Sequence, residues 1–405
     1  MVQYNPKGMI DMNITQKINN DCFWVGANDR RINLFENIFP LTNGVSYNSY
    51  VIKDEKTAVL DTVDQNCGRQ FMENLDFVLE GKNPDYIIVN HMEPDHCAML
   101  KDLLNKYPKT QVVANDKTVK LISQFFPSLS DVSYLTVKEG DTLCLGKHTL
   151  HFVMAPMVHW PEAMVTYDSY DKTLYSADAF GTFGALNGNI FCDEAHFDMS
   201  EARRYYSNIV GKYGPQVQAL LKKAANLEIE TICPLHGPVW RKDLNVILEK
   251  YQKWSTYQPE EKAVMIAYAS MYGNTQSVAN ALATQLAKNG VKKIVVYDIS
   301  TTHFSYLVSE CFRCSHIVIA SPTYNNGIYP PTETFLHDIK ALNVQNRTVG
   351  LIQNGSWAPA FTKLATEILS SMKDITILEN SVTIKSALYD EAEIENMAKE
   401  ISDSI

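Results

Sequence analysis

No stretch of this 405-residue chain approaches the roughly 18 consecutive apolar residues that a membrane-spanning helix needs. Met1 to Asn20 is polar and lacks the apolar core of a secretory signal peptide. A soluble, cytoplasmic protein without a membrane partner is the expectation. No Lys/Arg cluster occurs and the net charge is −10, so a nucleic-acid partner is not expected; a polyanion would be repelled. Cysteine is sparse: eight residues scattered along the chain do not make a disulfide scaffold, and reduced thiols are expected. Only Cys311 and Cys314 have CxxC spacing, and no second pair completes a Cys-rich metal knuckle. They read as packing residues at a helix end. A GxGxxG fingerprint and the Gly-Lys of a triphosphate loop are both missing, which argues against a dinucleotide site and an NTPase. Internal repeats and low-complexity tracts are absent too.

What is present is an ordinary globular composition, 45% hydrophobic and 20% charged, in a chain long enough for two or three domains. Cys22–Val25, Tyr47–Ile52 and Ala58–Asp61 read as strands, with Asn43-Gly44 as a turn. Helical periodicity covers Gly68–Glu80, His96–Lys106 and 116–125. Strands are expected at 85–90, 110–114, 132–137, 148–155, 163–168 and 173–178. This clustering suggests a two-layer or four-layer α/β sandwich. Residues 197–255 read as mainly helical, interrupted by a strand at Ile229–Cys233. The polar segment Trp254–Lys262 places a boundary, giving domains 1–256 and 257–405. Beyond it, strands at 264–269, 293–298, 316–320, 347–352 and 375–378 alternate with helices at 275–289, 303–313, 332–341, 360–372 and 390–403. That alternation predicts a doubly wound parallel sheet.

The densest chemistry lies in His91-Met92-Glu93-Pro94-Asp95-His96, directly after the apolar run Tyr86-Ile87-Ile88-Val89. Four potential metal ligands sit on one loop at a strand end. His159, Asp178 and His236 also follow strands, so a pocket at one sheet edge could gather all seven. Four imidazoles and three carboxylates, with no thiolate, form a mixed N/O donor set suited to zinc or iron, and the carboxylates favour harder, redox-active metals. Seven ligands exceed the needs of one tetrahedral ion, so two ions are expected, and a carboxylate such as Asp178 could bridge them. The remaining histidines, His148, His151, His196, His303, His316 and His337, lack ligand-type neighbours in sequence. They read as surface or satisfied core residues.

Three loops mark a second site. Ser270-Met271-Tyr272-Gly273-Asn274-Thr275 follows the first strand of the second domain and opens a helix, where N–H groups and hydroxyls can wrap a phosphate. Pro322-Thr323-Tyr324-Asn325-Asn326-Gly327 and Asn354-Gly355-Ser356-Trp357 follow the third and fourth strands. Ligands of such sheets bind outside the carboxyl ends of the strands. Tyr324 and Trp357 could flank an aromatic ring.

From about Phe23 onward the chain resembles the flavodiiron proteins (A-type flavoproteins). Their metallo-β-lactamase-like αββα domain carries HxExDH in place of HxHxDH, here with Glu93, and is followed by a flavodoxin-like half. The resemblance implies FMN and two non-haem irons. One iron would be held by His91, Glu93 and His159, the other by Asp95, His96 and His236, with Asp178 bridging. In some members the residue matching His96 does not bind its iron directly. The implied activity is reduction of O2 to water or of NO to N2O. A head-to-tail homodimer or dimer of dimers is implied, which sets the flavin of one chain beside the irons of the other, with Trp160 near that junction. Many members carry a pocket histidine in the N-terminal loops. Here no histidine precedes His91, and Leu34–Pro40 offers Glu36 and Asn37 instead, with Tyr47 and Asn48 as further neighbours. No rubredoxin or flavin reductase domain is expected within the chain, so a separate rubredoxin or NAD(P)H-dependent reductase would supply electrons. The competing class is a dizinc metallo-β-lactamase-like hydrolase using a metal-bound hydroxide. An electron carrier using only its flavin domain is a third.

Overall fold

The computed structural model describes residues 13–129, 132–195 and 197–405. The expected blandness of His196 and the reading of the first twelve residues fall outside them. The chain forms two compact units: one holds the described residues up to Tyr205 together with Pro215–Leu248, the other Tyr206–Gly214 with Glu249–Ile405.

In the first unit two mixed sheets share one core. The larger runs in the order Gln16–Lys17, Cys22–Trp24, Tyr50–Lys53, Thr57–Leu60, Tyr86–Ile88, Gln111–Ala114, Tyr134–Thr136. The smaller runs Thr142–Cys144, Thr149–Met154, Met164–Asp168, Thr173–Tyr175, Thr231–Cys233. Trp24, Tyr50, Ile52, Leu60, Ile88 and Val113 from one sheet pack with Leu150, Phe152, Met164, Tyr175 and Cys233 from the other. Inner strands such as Tyr86–Ile88 are buried at every position, which is why they read as apolar runs rather than as alternation.

The single helix expected at His96–Lys106 is instead two, Pro94–Cys97 and Leu100–Lys106. The His96 carbonyl accepts from Thr62 N (2.7 Å) and Thr62 Oγ1 (2.9 Å). That carbonyl is thereby drawn to the sheet edge, and the break leaves His96 on a short turn of its own.

The second unit is a parallel sheet in the order Ile294–Asp298, Glu261–Tyr268, Cys314–Tyr324, Arg347–Asn354, Ile375–Ile377. Val382–Ile384, not foreseen from the sequence, pairs in parallel with the end of Arg347–Asn354. Helices Asn274–Lys288 and Glu391–Ser404 pack Leu282, Leu286, Met397 and Ile401 into the core with Val264, Ile266, Val318 and Ile352. Cys311 and Cys314 lie at the junction of the helix Phe304–Arg313 and the next strand; both are buried, and no disulfide joins any of the described cysteines. Among the described residues no helix is long and apolar enough to cross a membrane.

Candidate metal centre and flavin cleft

Strand register builds the first site. Leu60 pairs with Ile88 in parallel, so Asp61 and the segment leading to His91 leave the sheet together. The Asp61 carboxylate accepts from Asn90 N (2.7 Å), Asn90 Nδ2 (2.8 Å) and His91 N (3.2 Å), which sets the turn into the ligand loop. In the other sheet Tyr175 registers with Cys233, so Asp178 and His236 emerge at one edge. The Asn48 amide donates to Pro234 O and Gly237 O, each at 2.8 Å, and braces the His236 turn.

All seven expected ligands converge there, in two groups: His91, Glu93, His159 and Asp178, and Asp95, His96 and His236. His91 Nε2 lies 3.2 Å from both Glu93 Oε2 and Asp178 Oδ2, and His159 Nε2 lies 2.9 and 3.1 Å from the same two oxygens. His96 Nε2 is 3.1 Å from Asp178 Oδ1, and both it (3.3 Å) and His236 Nε2 (3.2 Å) approach Asp95 Oδ2. Asp178 thus presents one oxygen to each group.

Among the described residues, both Asp95 oxygens, Asp178 Oδ1, both His96 nitrogens and His236 Nε2 are buried without a hydrogen-bond partner. Each such orphan costs about 1–3 kcal/mol unless something engages it. Lone pairs of this N/O type, converging within ion-binding distance of one another, fit cations. Among themselves the groups neutralise one another's charge. Burial pushes His91, His96 and His159 down, but the facing carboxylates win: His91 sits well above its ordinary pKa, His96 above it, and His159 at about 9. Burial pushes Asp178 and Glu93 up, and the histidines hold both well below the usual carboxylate range.

Glu36 stands at this site too, in the turn after Leu34–Phe35, with left-handed backbone (φ 49°). Although the residue as a whole is exposed, its carboxyl lies on the side of Glu93. Desolvation and the Glu93 charge raise it to about 8. Asn37, the other expected neighbour, follows in the same left-handed region and is exposed. An aromatic wall closes the His236 side, where the rings of Phe35, Tyr205 and Tyr47 lie 5.2, 5.5 and 5.6 Å from the imidazole. The Trp160 ring lies 5.4 Å from that of His91.

Sequence reasoning missed Glu162, whose Oε1 faces His91 Nδ1 at 2.9 Å, and Ser46, whose carbonyl accepts from His236 Nδ1 at 2.8 Å. A backbone carbonyl leaves no signature in residue type, and Glu162 is only one acid among many. His148 needs correction. It has ligand-type neighbours after all, because the fold brings Asp168 from a strand end and Asp171 and Asp21 from loops. Its Nδ1 is 2.6 Å from Asp168 Oδ2, and its Nε2 is 3.4 Å from Asp21 Oδ2.

The second site is a cleft of about 530 Å³ at the carboxyl ends of the parallel strands. All three expected loops reach it: Ser270, Met271, Tyr272, Asn274 and Thr275; Pro322, Thr323, Asn325 and Asn326; and Asn354, Gly355, Ser356 and Trp357. Gly273, Tyr324 and Gly327 do not line it. Gly273 instead caps the following helix at φ 90°, while Tyr324 and Gly327 pair in a tight hairpin and line a neighbouring groove. The expected Tyr324 flank is therefore replaced by Tyr272. Tyr272 and Trp357 are 89% and 90% exposed, so their faces are free for a planar ligand. Ser386 and Ala358 line the cleft unforeseen. Ser386 arrives through the unexpected strand Val382–Ile384, and its carbonyl accepts from Asn354 Nδ2 at 3.1 Å.

Residues 45–237 match the family described as ODP family beta lactamase, and residues 266–372 match flavodoxin. The nitric oxide reductase of Moorella thermoacetica is 33% identical, covering 91% of this chain and 92% of its own. The rubredoxin oxygen:oxidoreductase of Desulfovibrio gigas superposes with a TM-score of 0.89 at 29% identity, over 96% of this chain and 98% of that one. The flavodiiron protein of Giardia intestinalis does so at 0.86 and 26%, over 96% and 95%. The chain belongs to the flavodiiron family. It is accordingly an oxidoreductase with a metallo-β-lactamase-like domain and a flavodoxin domain. The cofactors of this flavodiiron chain are FMN, which its flavodoxin domain implies, and a diiron centre, with which the buried His/Asp/Glu cluster agrees.

Proposed function

We propose that this flavodiiron protein takes electrons through FMN and reduces O2 to water, with reduction of NO to N2O as a second activity. The observation that carries this reading is the pair of buried ligand groups sharing Asp178. His91, Glu93 and His159 would hold one iron, Asp95, His96 and His236 the other, and Asp178 would bridge. When bound, two ferrous ions supply a binding place and electrons for a diatomic oxidant, and FMN accepts reducing equivalents from a donor. Four electrons and four protons convert O2 to two waters; two of each convert two NO to N2O and one water.

The chain's own residues do the rest. Phe35, Tyr47 and Tyr205 exclude water from the His236 side. Glu36 places a carboxyl against Glu93, where it can hold a proton. Ser270, Asn274 and Thr275 would take the flavin phosphate at the helix N-terminus, and Tyr272 and Trp357 would cover its ring. A separate rubredoxin or NAD(P)H-dependent reductase would be the donor, and a head-to-tail homodimer the working unit.

A predominantly NO-reducing enzyme is the second reading. It is favoured by the name of the Moorella relative and by the anaerobic nitric oxide reductase flavorubredoxin of Vibrio vulnificus, 32% identical over 85% of this chain and 70% of its own. A dizinc hydrolase is disfavoured by Glu93 and the flavodoxin domain. Anaerobically reduced protein mixed rapidly with O2 or with NO, with flavin and iron reoxidation followed optically, decides. Faster turnover with O2 is expected. Faster turnover with NO transfers the assignment to the second reading, and a zinc-filled protein inert to both overturns the redox reading.

A further inference from the structure

Glu162 occupies an unusual position. Its side chain is fully buried on the loop that carries His159, yet it reaches the other ligand loop. Oε1 lies 2.9 Å from His91 Nδ1 and accepts from Met92 N at 3.0 Å. One carboxylate therefore fastens together the loops carrying three ligands of one group, His91, Glu93 and His159. An ionised carboxylate only accepts, so a ligating, neutral His91 keeps its proton on Nδ1 and leaves the Nε2 lone pair, on the side of Glu93 and Asp178, for the ion. An anion behind a ligating imidazole also makes it a stronger donor.

Among the described residues the other group has no hydrogen-bonded counterpart. His236 Nδ1 is held by a neutral carbonyl, Ser46 O, at 2.8 Å. His96 Nδ1 is buried with no hydrogen-bond partner among the described residues. Glu162 Oε2 is likewise buried and unpartnered. A glutamine would keep both Oε1 bonds, so hydrogen-bond geometry alone does not call for a carboxylate here. The charge facing His91 does.

We infer that Glu162 is a positioning residue that makes the two metal sites unequal, the His91–Glu93–His159 site binding its ion more tightly than the Asp95–His96–His236 site. The inference rests on the diiron reading above. The test is a titration of the full-length, FMN-loaded, chelator-stripped protein with Co(II), read by calorimetry and visible absorption. Wild type is expected to bind two ions in separate steps. Glu162→Gln should weaken the tighter step about 10-fold and Glu162→Ala about 100-fold, with the weaker step unchanged. FMN content and the thermal melt of Glu162→Gln should match wild type. A Gln variant that binds as wild type does shows a role in geometry alone and overturns the inference. So do a shift confined to the weaker step and two indistinguishable steps in wild type. Those three results leave the diiron reading standing, whereas a wild-type protein that binds no Co(II) removes that reading itself.

Discussion

The metal centre and the flavin cleft sit in similar places, at strand ends, but are made of different material. The first consists of side chains: His91, His96, His236 and Asp178 are each at most 1% exposed, and their lone pairs point at one another. The second consists of loop backbone, amides and hydroxyls, with two aromatic rings nine-tenths in solvent. A buried charged set fails abruptly when one member is lost, because the rest are left unpaired. A cleft that recognises its ligand through many exposed, neutral contacts loses affinity by small steps.

The largest effect should therefore come from Asp178, the one carboxylate among the described residues that faces both groups. Asp178→Asn leaves His91, His96 and His159 without a shared anion, at a cost of about 3–5 kcal/mol. Iron content should fall below one ion per chain by elemental analysis, while FMN stays stoichiometric. Loss of FMN together with iron would break the contrast.

His148 sharpens it from another side, because His148, Asp168 and Asp171 are metal-type residues used differently. Both its ring nitrogens face carboxylate oxygens, so the ring acts as an imidazolium clamp between Asp168 and Asp21. Lys147 pairs with the same Asp21, the His148 N–H reaches Asp54 at 2.8 Å, and Tyr170 covers the ring at 4.8 Å. Burial lowers its pKa, but Asp168, Asp171 and Asp21 outweigh this and hold it raised. A raised folded-state pKa stabilises fully below the unfolded value, about 6.5, and the gain is lost as pH rises through the folded value. His148→Asn should cost about 3 kcal/mol in urea unfolding near pH 6, and less at higher pH. Iron and FMN contents should not change.

Proton linkage should separate the two cofactors as well. His91, His96 and His159 all hold protons above their ordinary pKa, His159 up to about 9, and must release them to ligate. Co(II) affinity should then rise between about pH 7 and 9, with proton release seen in buffer-dependent calorimetry. FMN affinity should be flat over that range, because the cleft is lined by Ser, Thr, Asn, Gly, Pro, Ala, Met, Tyr and Trp.

The same difference in material explains what the sequence made legible. His91, Glu93, Asp95 and His96 announce themselves by residue type within six positions. The parallel pairing of Thr173–Tyr175 with Thr231–Cys233, itself invisible in sequence, brings Asp178 and His236 to them. Glu162, Asp61 and Ser46 stayed hidden because what recruits them is a bond made across the fold. The flavin loops were readable by position, since they follow strands of an alternating pattern. Within a loop, side-chain direction was not. The hairpin after Thr323 turns Tyr324 to another groove, and Ser386 depends on a strand too short to show periodicity.

The smallest effect tests the cleft itself. Trp357 contributes a free ring face and is 90% exposed, so its removal costs little in folding. An aromatic pair is worth about 0.5–1.5 kcal/mol beyond the area it buries. Trp357→Ala should weaken FMN binding about 10-fold, read from the recovery of flavin fluorescence on dilution, with iron content and melting temperature unchanged. Tyr324→Ala, a change in the neighbouring groove, should leave FMN affinity within about 2-fold, a difference of roughly 0.4 kcal/mol. If Tyr324→Ala proves the more damaging of the two, the ring-covering role passes from Tyr272 and Trp357 to the hairpin, and the cleft must close around its ligand by moving that hairpin.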